Sequence, residues 1–142
     1  MSEKKNGRVL GVDYGDVRTG LAISDEGGTL ASGIETISVG GMMKTACYIA
    51  ALAAERGVGL IVLGLPKNMD GSEGKRASLV RIFSSILAEY TDCPITFYDE
   101  RLSTVEAYEF LNRTGTAGKR RRAAVDTLAA EIILQDYLDA RK

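Results

Sequence analysis

RVLGVDYGDVRTGLAIS, residues 8–24, divides into two apolar runs around a polar turn. Arg8 to Asp13 reads as a short buried strand, Tyr14 to Arg18 as a tight turn, and Thr19 to Ser24 as the hairpin partner. The first run ends on a carboxylate. Asp13, with Gly15 and Gly20 behind it, gives the pattern D-x-G-x-x-x-x-G across the hairpin. An acid closing an apolar strand either caps its turn or faces an active edge, and the motif alone leaves both readings open.

Working outward, Asp25 to Thr29 is a second turn, and Leu30 to Ser38 offers a third strand weakened by Gly33, so an antiparallel meander is expected. A helix follows Gly40 and Gly41 over Met42 to Arg56, with Cys47 or Tyr48, Ala51, Leu52 and Glu55 at three and four spacing, and Gly57 ends it. Leu60 to Leu65 (LIVLGL) is a continuous apolar run, as in a central strand covered on both faces. Then come a polar loop, Pro66 to Ser72, a second helix to about Tyr90, and a strand, Ile95 to Tyr98. Ser103 and Glu106 form a capping-box pattern opening a short helix to Leu111. The basic segment Arg113 to Arg122 links it to a final helix, Ala123 to Asp139. The predicted fold is α/β, one domain over 1–142: a mixed five-stranded sheet, three antiparallel strands and then parallel ones, with helices on both faces. The ribonuclease H-like fold has that order. Ligands of such sheets sit at the carboxyl ends of central strands, where Asp13, Gly64 to Lys67 and Asp99 to Arg101 fall.

Composition narrows the chemistry. The 142 residues are 45% hydrophobic and 26% charged, the balance of a globular domain. No apolar run approaches the roughly 20 residues that span a bilayer, and Met1 to Leu10 lacks a signal-peptide core. No membrane association and a cytoplasmic location are expected. Cys47 and Cys93 are too few for a disulfide framework or a cysteine zinc site and read as buried thiols. The chain has no histidine, which removes the usual general base and imidazole metal sites, so catalysis has to use carboxylates, lysines or metal. With 18 Lys+Arg against 19 Asp+Glu, the net charge of −1 gives no bulk attraction for nucleic acid, and phosphate binding needs local basic patches.

Two further acids sit where chemistry is possible. Asp99 and Glu100 follow a strand end, and alternation along that strand does not choose between them; a surface ion pair with Arg101 is the bland alternative. Asp126 leads an apolar helix face made of Ala130, Ile133 and Tyr137, although an early-helix Asp also has a favourable interaction with the macrodipole. Carboxylates converging on one cleft repel one another unless a cation neutralises them. Mg2+ or Mn2+ fits, because hard ions prefer oxygen ligands and two of them stabilise the attacking and leaving oxygens of a phosphodiester displacement.

The segments GVDYGDVRTGLAISD (Gly11 to Asp25), VLGLPKNMDGSEG (Val62 to Gly74), YDERLSTVEA (Tyr98 to Ala107) and AAVDTLAAEIIL (Ala123 to Leu134) together resemble the YqgF/RuvX family, assigned as Holliday junction resolvases in the ribonuclease H-like superfamily. The resemblance covers nearly the whole chain. It implies a metal-dependent endonuclease, acting on branched DNA or on the 5′ end of the small-subunit ribosomal RNA precursor. Asp13, Glu100 and Asp126 would be the catalytic and metal-binding residues, and the resemblance favours Glu100 over Asp99.

For substrate contact, Lys119, Arg120, Arg121 and Arg122 precede Asp126 and would meet phosphates at the lip of the cleft, unless they are only a solvated charge run. Lys67 and Asn68 leave the central strand, and Arg101 has a fork suited to two phosphate oxygens. Without tryptophan, base stacking is a poor bet, and contacts should go to phosphate and sugar. The expected partner is structured RNA or branched DNA, with a homodimer as the arrangement for symmetric cuts. Two rival classes are an actin or sugar-kinase type ATP module, for which the chain is too short to build a second lobe, and a non-catalytic RNA-binding ribosome-assembly factor.

Overall fold

The computed structural model describes residues 7–102 and 119–141, and for residue 102 and residues 119–126 the backbone course alone. Its elements run β1 (Arg8–Asp13), β2 (Thr19–Ser24), β3 (Ala31–Ile37), α1 (Met42–Glu55), β4 (Val58–Leu65), α2 (Lys75–Ala88), β5 (Ile95–Asp99), a 3-10 turn (Glu100–Leu102) and α3 (Lys119–Ala140). The short helix predicted to end at Leu111 lies outside the described residues.

The strands form one five-stranded sheet in the order β3-β2-β1-β4-β5. β1 pairs antiparallel with β2, and β2 with β3, whereas β4 runs parallel to both β1 and β5. The meander and the parallel half therefore meet at β1, in the middle of the sheet. Alternation along the central strands feeds two cores. Leu10, Val12, Ile61, Leu63 and Leu65 face α1 and α2, where Ile49, Phe83 and Leu87 are buried against them. Val9, Ala22 and Val62 face α3 and bury Ala130, Ile133, Leu134 and Leu138. LIVLGL is apolar throughout because both of its faces are covered.

Several sequence readings are corrected. In α1 the buried residues are Thr45, Ala46, Ile49, Leu52 and Ala53, so Tyr48, Ala51 and Glu55 point outward. In an alanine-rich helix the largest branched apolar side chain, Ile49, sets the inward direction, and a spacing count through alanines does not see this. Cys47 is consequently exposed rather than buried, and Cys93 is half-buried, its thiol donating to the Val58 carbonyl at 3.1 Å. α3 begins at Lys119 rather than Ala123, which puts the backbone of Lys119 to Arg122 in its first turn and not in a linker. Lys and Arg are good helix formers, so the basic run suits the first turn of a helix.

Gly33 plays a part that its weakening of the strand pattern concealed. A Cβ there would collide with the Thr127 methyl group of α3, so glycine lets the helix lie close over β3. From that position α3 covers the outer edge of the sheet. The Ala31 amide donates to Gln135 Oε1 at 2.9 Å and the Gly33 amide to Glu131 Oε1 at 3.1 Å. Thr36 and Thr127 share a hydroxyl hydrogen bond of 2.6 Å. Contacts from Ala31 to Thr36 along β3 thus meet α3 in descending order, from Gln135 to Thr127. The helix therefore runs antiparallel to β3 and β1, with its N-terminal end over the carboxyl ends of those strands.

Candidate active site

Asp13 is the last residue of β1 and is half-buried, with Gly20 directly across the hairpin. Two residues earlier, a Cβ at Gly11 would stand 2.7 Å from Leu134 Cβ, so this side of β1 faces α3 and Asp13 points the same way. Tyr14 turns to the other face, where its ring stacks on Phe83 at 4.3 Å between centroids. The hairpin that follows needs Gly15, since a Cβ there would strike the Arg18 carbonyl oxygen.

β4 supplies the floor. Its parallel register pairs Gly11 with Val62 and Val12 with Leu63, and one further step sets Asp13 alongside Gly64, at the interstrand spacing of about 4.8 Å. Across Gly64 on the other side lies Tyr98 of β5. Past Asp99 the chain enters the 3-10 turn, which brings Glu100 back over Gly64. A Cβ at residue 64 would stand 2.6 Å from Glu100 Oε2 and 2.7 Å from Ile133 Cδ1. The Glu100 carboxylate occupies the space that any larger residue at 64 would fill. Asp13 and Glu100 therefore flank Gly64 on the α3 side of the sheet.

Asp99 goes elsewhere. Its carboxylate takes the Arg101 guanidinium through Nη2 at 2.7 Å and Nε at 3.1 Å, and accepts the Arg101 backbone amide at 2.9 Å. These Arg101 hydrogen bonds hold the Asp99 carboxyl below its ordinary value despite the opposing effect of burial. Arg101 also donates to the Met69 carbonyl at 3.2 Å. The ion pair weighed from the sequence is thus real. Arg101, expected as a phosphate contact, is a strut tying the 3-10 turn to the loop after β4, and two faces of its fork are already used.

That loop is internally ordered. Asn68 and Ser72 bond through their backbones at 2.9 Å and through their side chains at 2.9 Å, so Asn68 is partly committed to the turn. Asp70 accepts the Ser72 hydroxyl at 2.6 Å and its amide at 2.9 Å, which lowers the Asp70 carboxyl. Glu73 forms a two-point pair with Arg81 at 2.6 and 2.7 Å, which lowers its carboxyl too. A cleft of about 340 Å³ opens between this loop and the 3-10 turn, with Lys67, Asn68, Glu100 and Arg101 on its wall.

For the third acid the structure gives only the backbone. Ala130 and Ile133 are fully buried and Tyr137 is packed against the same core, as the stripe behind Asp126 predicted. The Asp126 side chain and those of Lys119, Arg120, Arg121 and Arg122 lie outside the described residues. Among the described residues no three His, Cys, Asp or Glu converge as a metal cluster. Sequence reasoning put Gly64 at a ligand-facing strand end but did not foresee that Glu100 and Ile133 pack directly over it. A glycine inside an otherwise unbroken central strand is the available signal, because it marks a close approach from outside the sheet.

The family model described as RuvX, Holliday junction resolvase, matches residues 7–140. A protein of Chloroflexus aggregans, by name a candidate pre-16S rRNA nuclease, is 41% identical over 134 residues covering 94% of each chain. A Halothermothrix orenii protein of the same name is 44% identical over 132 residues, 93% of this chain and 94% of its own. Among solved structures, Thermus thermophilus RuvC bound to a Holliday junction superposes with a TM-score of 0.58 at 14% identity, covering 95% of both chains. The fowlpox virus Holliday junction resolvase gives 0.52 at 12% identity, covering 94% of this chain and 99% of its own. The mixed five-stranded sheet with the three helices of the described residues has the resolvase type of ribonuclease H fold.

Proposed function

Because the chain belongs to the RuvX family of Holliday junction resolvases, we propose that it is a metal-dependent endonuclease in which Asp13, Glu100 and Asp126 form the catalytic set. The observation that carries this reading is the Glu100 carboxylate lying over Gly64, in the row of the sheet where Asp13 is the next residue. Acids on either side of Gly64 bring carboxylate oxygens to the carboxyl ends of the central strands, where ligands of such sheets bind.

The donor set suits Mg2+ or Mn2+, which take carboxylate oxygens and retain water; the chain offers no histidine to draw a softer ion. When bound, such an ion activates water and stabilises charge on the phosphoryl oxygens. Asp13 and Glu100 would hold it, and α3, whose N-terminal end lies over the same strand ends, would bring Asp126 as the third ligand. The basic first turn of α3, Lys119 to Arg122, would meet the substrate backbone beside that set. Phosphodiester hydrolysis would then need no imidazole, because the carboxylates would hold the ion and help orient water beside it.

The relatives' names favour precursor 16S rRNA over branched DNA as substrate, and action there implies a cytoplasmic location. Among the described residues no helix is long and apolar enough to cross a membrane. A homodimer would serve paired cuts at a junction, whereas a single cut in RNA needs one copy. The test is cleavage of precursor rRNA and of a four-way junction, with Mn2+, with Mg2+ and with chelator. Asp13→Asn is expected to lower cutting by more than about 100-fold, several kcal/mol of lost transition-state stabilisation, while nucleic-acid binding persists. Undiminished cutting by that variant, or by the wild type in chelator, rules the mechanism out.

A further inference from the structure

The cleft beside Glu100 carries more positive charge than the acidic edge requires. Besides Lys67 and Arg101, its wall includes Lys75 and Arg76, the first two residues of α2. Three carboxylates of the surrounding segment are turned to internal partners, Asp70 to Ser72, Glu73 to Arg81 and Asp99 to Arg101, and Glu100 is the acid on the cleft's own wall. Among the described residues Lys67, Lys75 and Arg76 form no ion pair. The charge of Lys67 also acts on Glu73 and Asp99, so in a chain of net charge −1 Lys75 and Arg76 are the cations that make this concave space locally anion-attracting.

We propose that this cleft is a subsite for a backbone phosphate next to the one that is cut, with Lys75 and Arg76 as its contacts. The inference rests on the nuclease reading of the neighbouring edge and adds how the strand is held there. Glu100 belongs to the wall of the cleft and also reaches over Gly64, so a strand with one phosphate at the acidic edge has its neighbour within reach of the cations. The loop that forms the other wall is ordered by its own hydrogen bonds and by the Glu73–Arg81 and Arg101–Met69 contacts, so the cations are presented without a folding step. Preorganised charge costs little on binding and therefore contributes to affinity. Lys75 and Arg76 contact substrate away from the reacting atoms, so their removal should weaken binding more than turnover.

The experiment uses full-length protein carrying Asp13→Asn, which prevents cutting, and a labelled single-stranded RNA of about 12 nucleotides read by fluorescence anisotropy. Adding Lys75→Ala with Arg76→Ala is expected to weaken binding by about 10-fold near 100 mM salt. The slope of log K against log salt should fall by about 0.7 for each phosphate that is no longer neutralised. Arg56→Ala, at the exposed far end of α1, should change neither. In the cutting-competent protein the same pair should raise KM and leave kcat within about threefold. Thermal melting identifies a misfolded double variant, and Lys75→Gln with Arg76→Gln then replaces it. Unchanged affinity and slope, or an equal loss in Arg56→Ala, overturns the subsite. So does a double variant that loses affinity for ATP but not for RNA, which would make the cleft a free-nucleotide pocket. If the wild type binds RNA through these residues yet never cuts, the subsite stands and the nuclease reading falls.

Discussion

Gly64 is the point at which a single added methyl group should disturb both the fold and the chemistry. Gly64→Ala places a carbon against Glu100 Oε2 and Ile133 Cδ1, so either the acid or α3 must shift. The expected outcome is a loss of about 1–3 kcal/mol in denaturant unfolding, typical of overpacking, with cleavage down at least about 10-fold. Wild-type stability and rate in that variant would show that Glu100 does not need its place over the strand. Asp99 makes a different prediction. Its folded pKa lies below the ordinary value because Arg101 binds the ionised form, so its contribution is present above the unfolded value and is lost as pH falls through the folded one. The melting temperature should decline below about pH 4, and Asp99→Asn should flatten part of that decline. Asp136 acts with the opposite sign. Burial and then Asp139 raise its pKa, so its contribution is present at low pH and disappears as pH rises through the folded value.

At the scale of elements, α3 and β3 depend on one another. An edge strand with bare amides invites pairing with another chain, and here the side chains of Gln135 and Glu131 occupy two of those amides. Gln135 also donates to the Thr29 carbonyl at 2.9 Å, so one side chain ties the β2–β3 turn to the helix. Gln135→Ala should cost about 1–2 kcal/mol, the range for removing hydrogen bonds so that a donor is left unsatisfied, as measured by denaturant midpoint at constant m. It should also raise self-association at high protein concentration, visible in sedimentation. If the variant is as stable and as monodisperse as the wild type, the edge is protected by something other than these side chains.

At the scale of the whole molecule, the described charges are sorted by sign around one end of the sheet. Negative charge gathers at the carboxyl ends of β1 and β5, while Lys67, Lys75 and Arg76 line the neighbouring cleft. A bound divalent ion would relieve repulsion among the acids and stabilise the folded chain by mass action, by about 2.7 kcal/mol at 100 times the Kd. Saturating Mn2+ should therefore raise the melting temperature of the wild type by several degrees and leave Asp13→Asn nearly unmoved. An equal shift in both proteins would place the ion elsewhere.

Much of this was legible in the chain of letters. Strand alternation, the Gly57 stop after the first helix and the unbroken LIVLGL run established element order, because these patterns depend on local geometry and on which faces meet water. The acid at the end of β1 was visible for the same reason. Strand alternation did not choose between Asp99 and Glu100, and only the family resemblance favoured Glu100, since both follow the same strand and the 3-10 turn, held by Arg101, rotates one over Gly64 and the other away. The inward face of α1 and the purpose of Gly33 and Gly64 also waited for tertiary structure. Each depends on how close a second element comes, a distance set by packing between segments far apart in sequence.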